Sequence, residues 1–289
     1  MIVTALLAWV GRPQVDCCAA DAVKTVRVAA VQFVSEFGKP AENRKQIEPL
    51  VREAAGHGAK IVVLPETAIA GYMSADLQTT WQVDERPLSE SLRGVPANTV
   101  AEPVPGPSTE AFAALAKEQG IYLTAPLLEI DAKQKKYFNT VVLLGPDGKI
   151  ALHYRKINPY LWAEKGWATP GDRGHQVLDT PYGRLGLLVC FDIHSEPAAM
   201  KAKGVDHLLY PMAWVDYADS KWFQNDLPEI ARRSDFNIIG ANWSVEKRPA
   251  WSGYGQSEII ARDGRILARV KSALDNEIIY ADLPASKQQ

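Results

Sequence analysis

Apolar positions along the chain follow two periods in turn. Residues 26–33 are almost all apolar and rich in Val and Ala, which predicts a strand buried on both faces. Ile47, Leu50, Val51, Ala54 and Ala55 then recur at helical spacing, with Pro49 inside the pattern as a point of kinking. Residues 61–64 form a second apolar strand, closed by Pro65 and Glu66. Residues 80–107 hold five prolines and little periodicity, which predicts a long surface loop. Residues 108–119 read as a helix, with Phe112, Leu115 and Ala116 on one face and Gly120 at its end. A strand over 121–128 follows. Segments 141–144 and 149–154 flank Gly145-Pro146-Asp147-Gly148, a hairpin signal.

The second half repeats the alternation. Strands are predicted over 185–190, 207–210 and 237–241, helices over 195–202 and 226–234, and two late strands about Asp263-Gly264. Buried strands alternating with helices predict an α/β fold with both sheet faces covered. Asp147-Gly148-Lys149-Ile150 is echoed by Asp263-Gly264-Arg265-Ile266. The echo points to two similar halves, each closed by a hairpin, and no linker divides them.

Composition narrows the class. The chain has 289 residues, 47% hydrophobic and 23% charged, enough for a large core and too apolar for disorder. Lys+Arg of 32 against Asp+Glu of 34 gives a net charge of −2, without a block of one sign. That balance argues against a nucleic-acid partner. No apolar run is long enough to span a bilayer. Residues 1–23 read apart from the rest: an apolar run over 2–10, then breakers, then Ala20-Asp21-Ala22, a small-x-small pattern. They are either a signal segment without a charged start or a structureless leader, so the compartment, cytoplasmic or exported, stays open. Folded structure is expected from residue 24 to 289. Cys17 and Cys18 fall in the leader, which leaves Cys190 as the one thiol of the folded part.

Three reactive side chains close apolar strands: Glu66 after Ile-Val-Val-Leu-Pro, Lys156 after Ala-Leu-His-Tyr-Arg, and Cys190 after Leu-Gly-Leu-Leu-Val. In α/β sheets, ligands gather beyond the carboxyl ends of strands. A carboxylate there could take a thiol proton, and an ammonium could favour the thiolate and an oxyanion. Each residue alone reads as an ordinary solvated or core position; the combination points to nucleophilic catalysis.

The motifs carrying these residues resemble those of the nitrilase, or carbon–nitrogen hydrolase, superfamily. The matching pieces, in order, are Leu64-Pro65-Glu66-Thr67 with Gly71-Tyr72, then Tyr154-Arg155-Lys156, then Gly186-Leu187-Leu188-Val189-Cys190-Phe191-Asp192. Supporting matches are Phe138-Asn139-Thr140, Pro146-Asp147-Gly148-Lys149, Pro170-Gly171 and Gly255-Gln256-Ser257. The resemblance spans about residues 25–282. It implies a four-layer α-β-β-α sandwich and a Glu-Lys-Cys triad: Glu66 as general base, Lys156 as stabilising cation, Cys190 as nucleophile. It also implies a second glutamate shortly after the lysine, for which Glu164 is the best match. The Phe191 backbone N–H is the candidate oxyanion donor and Trp214 the candidate substrate contact. The stretch 157–163 departs from the family pattern, with Ile157-Asn158 where a histidine often follows the lysine.

Cys-Phe-Asp at the nucleophile resembles amide-cleaving members, and the core resembles the vanin and biotinidase branch without that branch's long C-terminal addition. The implied activity is hydrolysis of a small amide through a cysteine thioester, with no metal or organic cofactor. The resemblance also implies a homodimer or larger homo-oligomer. The alternatives are a nitrilase or N-carbamoyl amide hydrolase with the same triad, or a non-enzymatic binding protein of the same fold. Two rivals come from the histidines. One pairs Cys190 with His57, His153, His175, His194 or His207; the other joins His194 and Asp192 in a metal site.

Overall fold

A computed structural model of the chain describes residues 25–84, 86–214, 221–245 and 255–285. The predicted leader, with Cys17 and Cys18, and Trp251 lie outside the described residues. The first half runs β1 (Thr25–Val34), α1 (Pro40–Gly56), β2 (Ile61–Val63), β3 (Thr79–Gln82), β4 (Arg93–Pro96), α2 (Pro107–Gln119), β5 (Tyr122–Asp131), β6 (Lys136–Leu144) and β7 (Ile150–Arg155). A one-turn α3 (Leu161–Glu164) leads to β8 (Val177–Thr180). The second half runs β9 (Gly183–Leu187), α4 (Pro197–Ala202), β10 (His207–Met212), α5 (Leu227–Ser234), β11 (Asn237–Ser244), β12 (Glu258–Ile260) and β13 (Ile266–Arg269), and β14 (Glu277–Pro284) closes the chain.

The halves repeat one topology. The sheet order β1-β2-β5-β6-β7 matches β9-β10-β11-β12-β13: three parallel strands joined through helices, then an antiparallel hairpin. An antiparallel edge strand flanks each first strand, β14 beside β1 and β8 beside β9. The sheets join where β1 and β11 pair at their carboxyl ends, Phe33 to Trp243 and Val34 to Ser244.

The apolar strands fill two layers by period 2. Val26, Val28, Ala30, Ile61, Val63, Val141 and Leu143 face the other sheet and share a core with Leu185, Leu187, Leu208 and Ile238. Ala29, Val31, Phe33, Val62 and Val142 face outward onto Ile47, Val51 and Ala54 of α1 and Phe112, Leu115 and Ala116 of α2. Met200 of α4 and Ile230 and Ala231 of α5 pack with the second sheet. The result is the four-layer α-β-β-α sandwich. Each fully buried Val, Leu or Ile stabilises it by roughly 1.5–3 kcal/mol.

The echoed turns are one structure built twice. In each, the Asp carboxylate accepts the N–H two residues on, Asp147 from Lys149 and Asp263 from Arg265, both at 3.0 Å. Gly148 and Gly264 take φ of 78° and 86°, where a side chain is strained. A Cβ on either would also press on the helix below, α2 at Lys117 or α5 at Pro228.

Three predicted elements change. Residues 80–107 are not a plain surface loop. β3 and β4 pair in parallel, and Trp81 is buried, stacked on Phe37 at 4.1 Å, with its Nε1–H on the Gly71 carbonyl at 2.9 Å. Helix α1 begins at Pro40, ahead of the apolar repeat, because Asn43 is a buried polar tie to Glu36 and Ile69. Pro49 sits on its exposed face with Lys45, so the Lys45 carbonyl that loses its i→i−4 donor lies on the solvent side of the helix. The strand expected to reach Cys190 stops at Leu187.

Candidate active site

Glu66 lies three residues past β2, Lys156 directly after β7, and Cys190 three residues past β9. β7 reaches the same end as the parallel strands because β6 reverses the chain and β7 reverses it again. All three side chains therefore arrive at the carboxyl edge, on the seam between the sheets. The seam is tied by a reciprocal pair. The Glu66 N–H donates to the Met212 carbonyl at 3.1 Å, and the Ala213 N–H donates to Glu66 Oε2 at 2.8 Å.

Lys156 Nζ sits between two carboxylates, 2.7 Å from Glu66 Oε1 and 2.5 Å from Glu164 Oε2. All three side chains have no exposed surface. Glu164, the last residue of α3, also accepts the Tyr160 N–H at 2.5 Å. Asn139 of β6 braces the pair from one amide group: its Nδ2 donates to Glu66 Oε1 and to Glu164 Oε1, both at 2.6 Å. Buried ions demand such partners, since an unpaired charge here would cost several kcal/mol. The Cys190 thiol is buried in the fields of Glu66, Lys156 and Glu164.

Electrostatics sets the resting protonation. Burial favours a neutral Lys156, but the Glu164 and Glu66 carboxylates outweigh it and hold the ammonium above its ordinary range. Burial pushes Glu66 upward, against the pull of Lys156. Burial, with the Glu66 charge, pushes the Cys190 thiol well up despite Lys156. Cys190 thus rests as a thiol, beside a carboxyl group of raised basicity.

Cys190 opens a short 3₁₀ segment, Cys190–His194, with φ of 43°. A non-glycine residue there carries strain of about 1–3 kcal/mol. Asp192 holds the bend: it accepts the Val189 N–H at 3.2 Å, the Tyr154 hydroxyl at 2.7 Å and the Asn158 N–H at 2.7 Å. Tyr210 adds a bond from its hydroxyl to the Cys190 carbonyl at 2.9 Å. With its oxygens engaged this way, Asp192 is a structural clamp and not a partner for His194. Among the described residues, no group of three or more His, Cys, Asp or Glu could hold a metal ion. Four of the five histidines are bonded elsewhere: His57 to Glu53, His153 to Glu129, His175 to Glu196 and His207 to Tyr182.

Phe191 is 37% exposed beside Cys190, between the rings of Tyr160 at 5.4 Å and His194 at 4.9 Å. Trp214 is buried one residue past Ala213 and stacks on Trp222 at 4.2 Å and 10°. Arg155 turns away from the site and anchors the end of β7 on Glu129, Asp131 and Asp172, over the Phe138 ring. In the sequence Asn139 stands out only as part of Phe138-Asn139-Thr140, and nothing marks the Ala213 N–H or Tyr210. A backbone donor leaves no mark in a sequence.

Fold and site together define a thiol-dependent hydrolase of carbon–nitrogen bonds. The carbon–nitrogen hydrolase family model matches residues 27–289, and the chain belongs to that family. Omega-amidase NIT2 of Homo sapiens is 31% identical over 275 residues, covering 90% of this chain and 89% of its own. A nitrilase of Pyrococcus abyssi is 32% identical over 189 residues, 64% of each chain. The fold is shared with an amidase from Nesterenkonia sp., at a TM-score of 0.73 and 21% identity over 91% of this chain and 92% of that one.

Proposed function

We propose that the chain hydrolyses small linear amides through a thioester on Cys190. The observation that carries the reading is the buried Glu66–Lys156–Glu164 cluster, with the buried Cys190 thiol in its field. Glu66 takes the thiol proton as sulfur attacks the amide carbon, so no free thiolate has to accumulate in a site that disfavours one. Lys156 and the Phe191 N–H receive the charge that grows on the carbonyl oxygen. The proton on Glu66 passes to the nitrogen, the C–N bond breaks, and ammonia or an amine leaves a thioester. Glu66 then takes a proton from water, which attacks the thioester and releases the carboxylic acid and the thiol. Glu164 and Asn139 hold Lys156 and Glu66 in register throughout. Every group in this scheme is a side chain or backbone amide of the chain.

Kinship supports an amide over other C–N substrates: the Homo sapiens relative is an omega-amidase, and a Nesterenkonia amidase has been seen with the acetamide moiety of fluoroacetamide on its active-site cysteine. The test is product release across primary amides, N-carbamoyl amino acids, pantetheine and aliphatic nitriles, with wild type, Cys190→Ser, Glu66→Gln and the double variant. Amides should be turned over by wild type, each single variant should lose nearly all activity, and the double variant little more. Near wild-type turnover by Cys190→Ser would refute the thiol route. Tight binding of an intact ligand with no turnover of any substrate would make this a binding protein.

A further inference from the structure

Tyr72 stands six residues past Glu66 and has no task in the chemistry above. Its ring is 2% exposed and meets the Trp243 ring edge-on at 5.8 Å. It packs in one apolar cluster with Met73, Ala163 and Ala213. Two of these border the reacting groups: Ala163 precedes Glu164, and the Ala213 N–H holds Glu66. The Tyr72 hydroxyl is buried and has no hydrogen-bond partner among the described residues. Through Ala163 and Ala213 the ring packs against the segments that carry Glu164 and hold Glu66.

A buried hydroxyl without a partner costs roughly 1–3 kcal/mol, and a bound acceptor would recover that cost. The hydroxyl does not hold the carboxylates, which take their donors from Lys156, Asn139, Ala213 and Tyr160. In the proposed reaction, Lys156 and the Phe191 N–H serve the carbonyl oxygen, and Glu66 serves the nitrogen. The part of the substrate left without a polar partner is the acyl chain, and the wall around Tyr72 is otherwise apolar.

We propose that the Tyr72 hydroxyl determines acyl specificity by donating a hydrogen bond to an acceptor oxygen near the scissile carbonyl. The favoured substrates are then short amides bearing an ether, keto or hydroxyl oxygen. This inference rests on the amidase reading and names its substrate class. Burial, with the neighbouring Glu164 and Glu66 charges, pushes the phenol well up, so it stays a donor at any working pH. The same carboxylates disfavour a second anion beside them, which makes a neutral oxygen the better acceptor.

Methoxyacetamide and butyramide test this, because they differ only by an ether oxygen in place of a methylene. Tyr72→Phe keeps the ring and removes the donor. Comparing the two substrates within each enzyme cancels any general damage. The expected result is a loss in kcat/KM of about tenfold or more on methoxyacetamide, and a change within about twofold on butyramide. An equal loss on both amides, or no loss on either, overturns the proposal. Ligand-observed NMR titration of Cys190→Ala, with and without Tyr72→Phe, gives a readout independent of turnover. If wild type hydrolyses neither of these nor any other amide, the amidase reading falls. The subsite then stands only if Cys190→Ala prefers the ether and Tyr72→Phe abolishes that preference.

Discussion

Glu258 on β12 gives a stability prediction whose size follows from the structure. It is fully buried, and its Oε2 receives Arg269 Nε at 2.9 Å and Nη2 at 2.5 Å. Its Oε1 is buried with no partner among the described residues, which is where a proton would reside. Burial pushes the carboxyl up against the pull of Arg269, from an ordinary 4.5 to about 7. At 1.36 kcal/mol per pH unit, that rise corresponds to about 3 kcal/mol. The sign is fixed by which state holds the proton. Between about pH 4.5 and 7 the unfolded carboxyl releases a proton that the folded one keeps, so stability falls as pH rises across this window and levels off above it. Glu258→Gln stands in for the protonated acid. Its NH₂ finds no acceptor at the Oε1 position, a penalty of roughly 1–3 kcal/mol that does not vary with pH. The observable is therefore the change in the difference between variant and wild type, measured by urea unfolding from pH 4.5 to 8. The variant should gain about 3 kcal/mol on wild type across that range. Parallel curves would show that the folded carboxyl titrates normally. The consequence reaches the site, because Arg269 Nη2 also donates to the Phe223 carbonyl at 2.7 Å, next to the Trp222 that stacks on Trp214.

Asn139→Ala removes the amide shared by Glu66 and Glu164. It should lower kcat about 100-fold and cost roughly 2–3 kcal/mol in urea unfolding, since two buried carboxylates each lose a donor; unchanged kcat would confine Asn139 to packing. Arg155→Met strands Glu129 in the core and should cost roughly 3–5 kcal/mol with little direct effect on chemistry. Burial raises the Glu129 carboxyl, but bonds from His153, Arg155 and Thr140 outweigh that and hold it at about 2. Its contribution is full above about pH 4.5 and fades as pH falls towards 2, so Arg155→Met should flatten the acid limb of the stability curve. A variant as acid-sensitive as wild type would contradict that assignment.

The parts of the fold visible in the sequence are those whose residues repeat a physical constraint. Strands buried on both faces must be apolar throughout, which exposed β1, β2 and the strands of the second half. The Asp-Gly turns showed because a tight reversal over a helix admits so few residues. β8 and β14 are half-exposed edge strands without such a constraint, and neither was predicted. β3 and β4 hid among prolines, because a four-residue ladder is too short to show a period. At the site, a thiol, an ammonium and two acids are conspicuous by chemistry. Asn139 and Tyr72 are not, since their importance lies in where one amide and one hydroxyl point.

The repeated topology explains why the site forms where it does. Glu66 follows the second strand of the first half, and Ala213 follows the second strand of the other half. The two are topological equivalents, and they bond to each other across the seam. One has kept a reactive side chain and the other contributes only its backbone. Cys190 and Lys156 follow the first strand of one half and the last strand of the other. No half contains a complete set: Cys190 belongs to the second repeat, and Glu66 and Lys156 to the first. Any change that parts the sheets at the Phe33–Trp243 and Val34–Ser244 pairing separates Cys190 from Glu66 before it disturbs either half. Loss of activity should therefore precede loss of secondary structure as the seam is weakened.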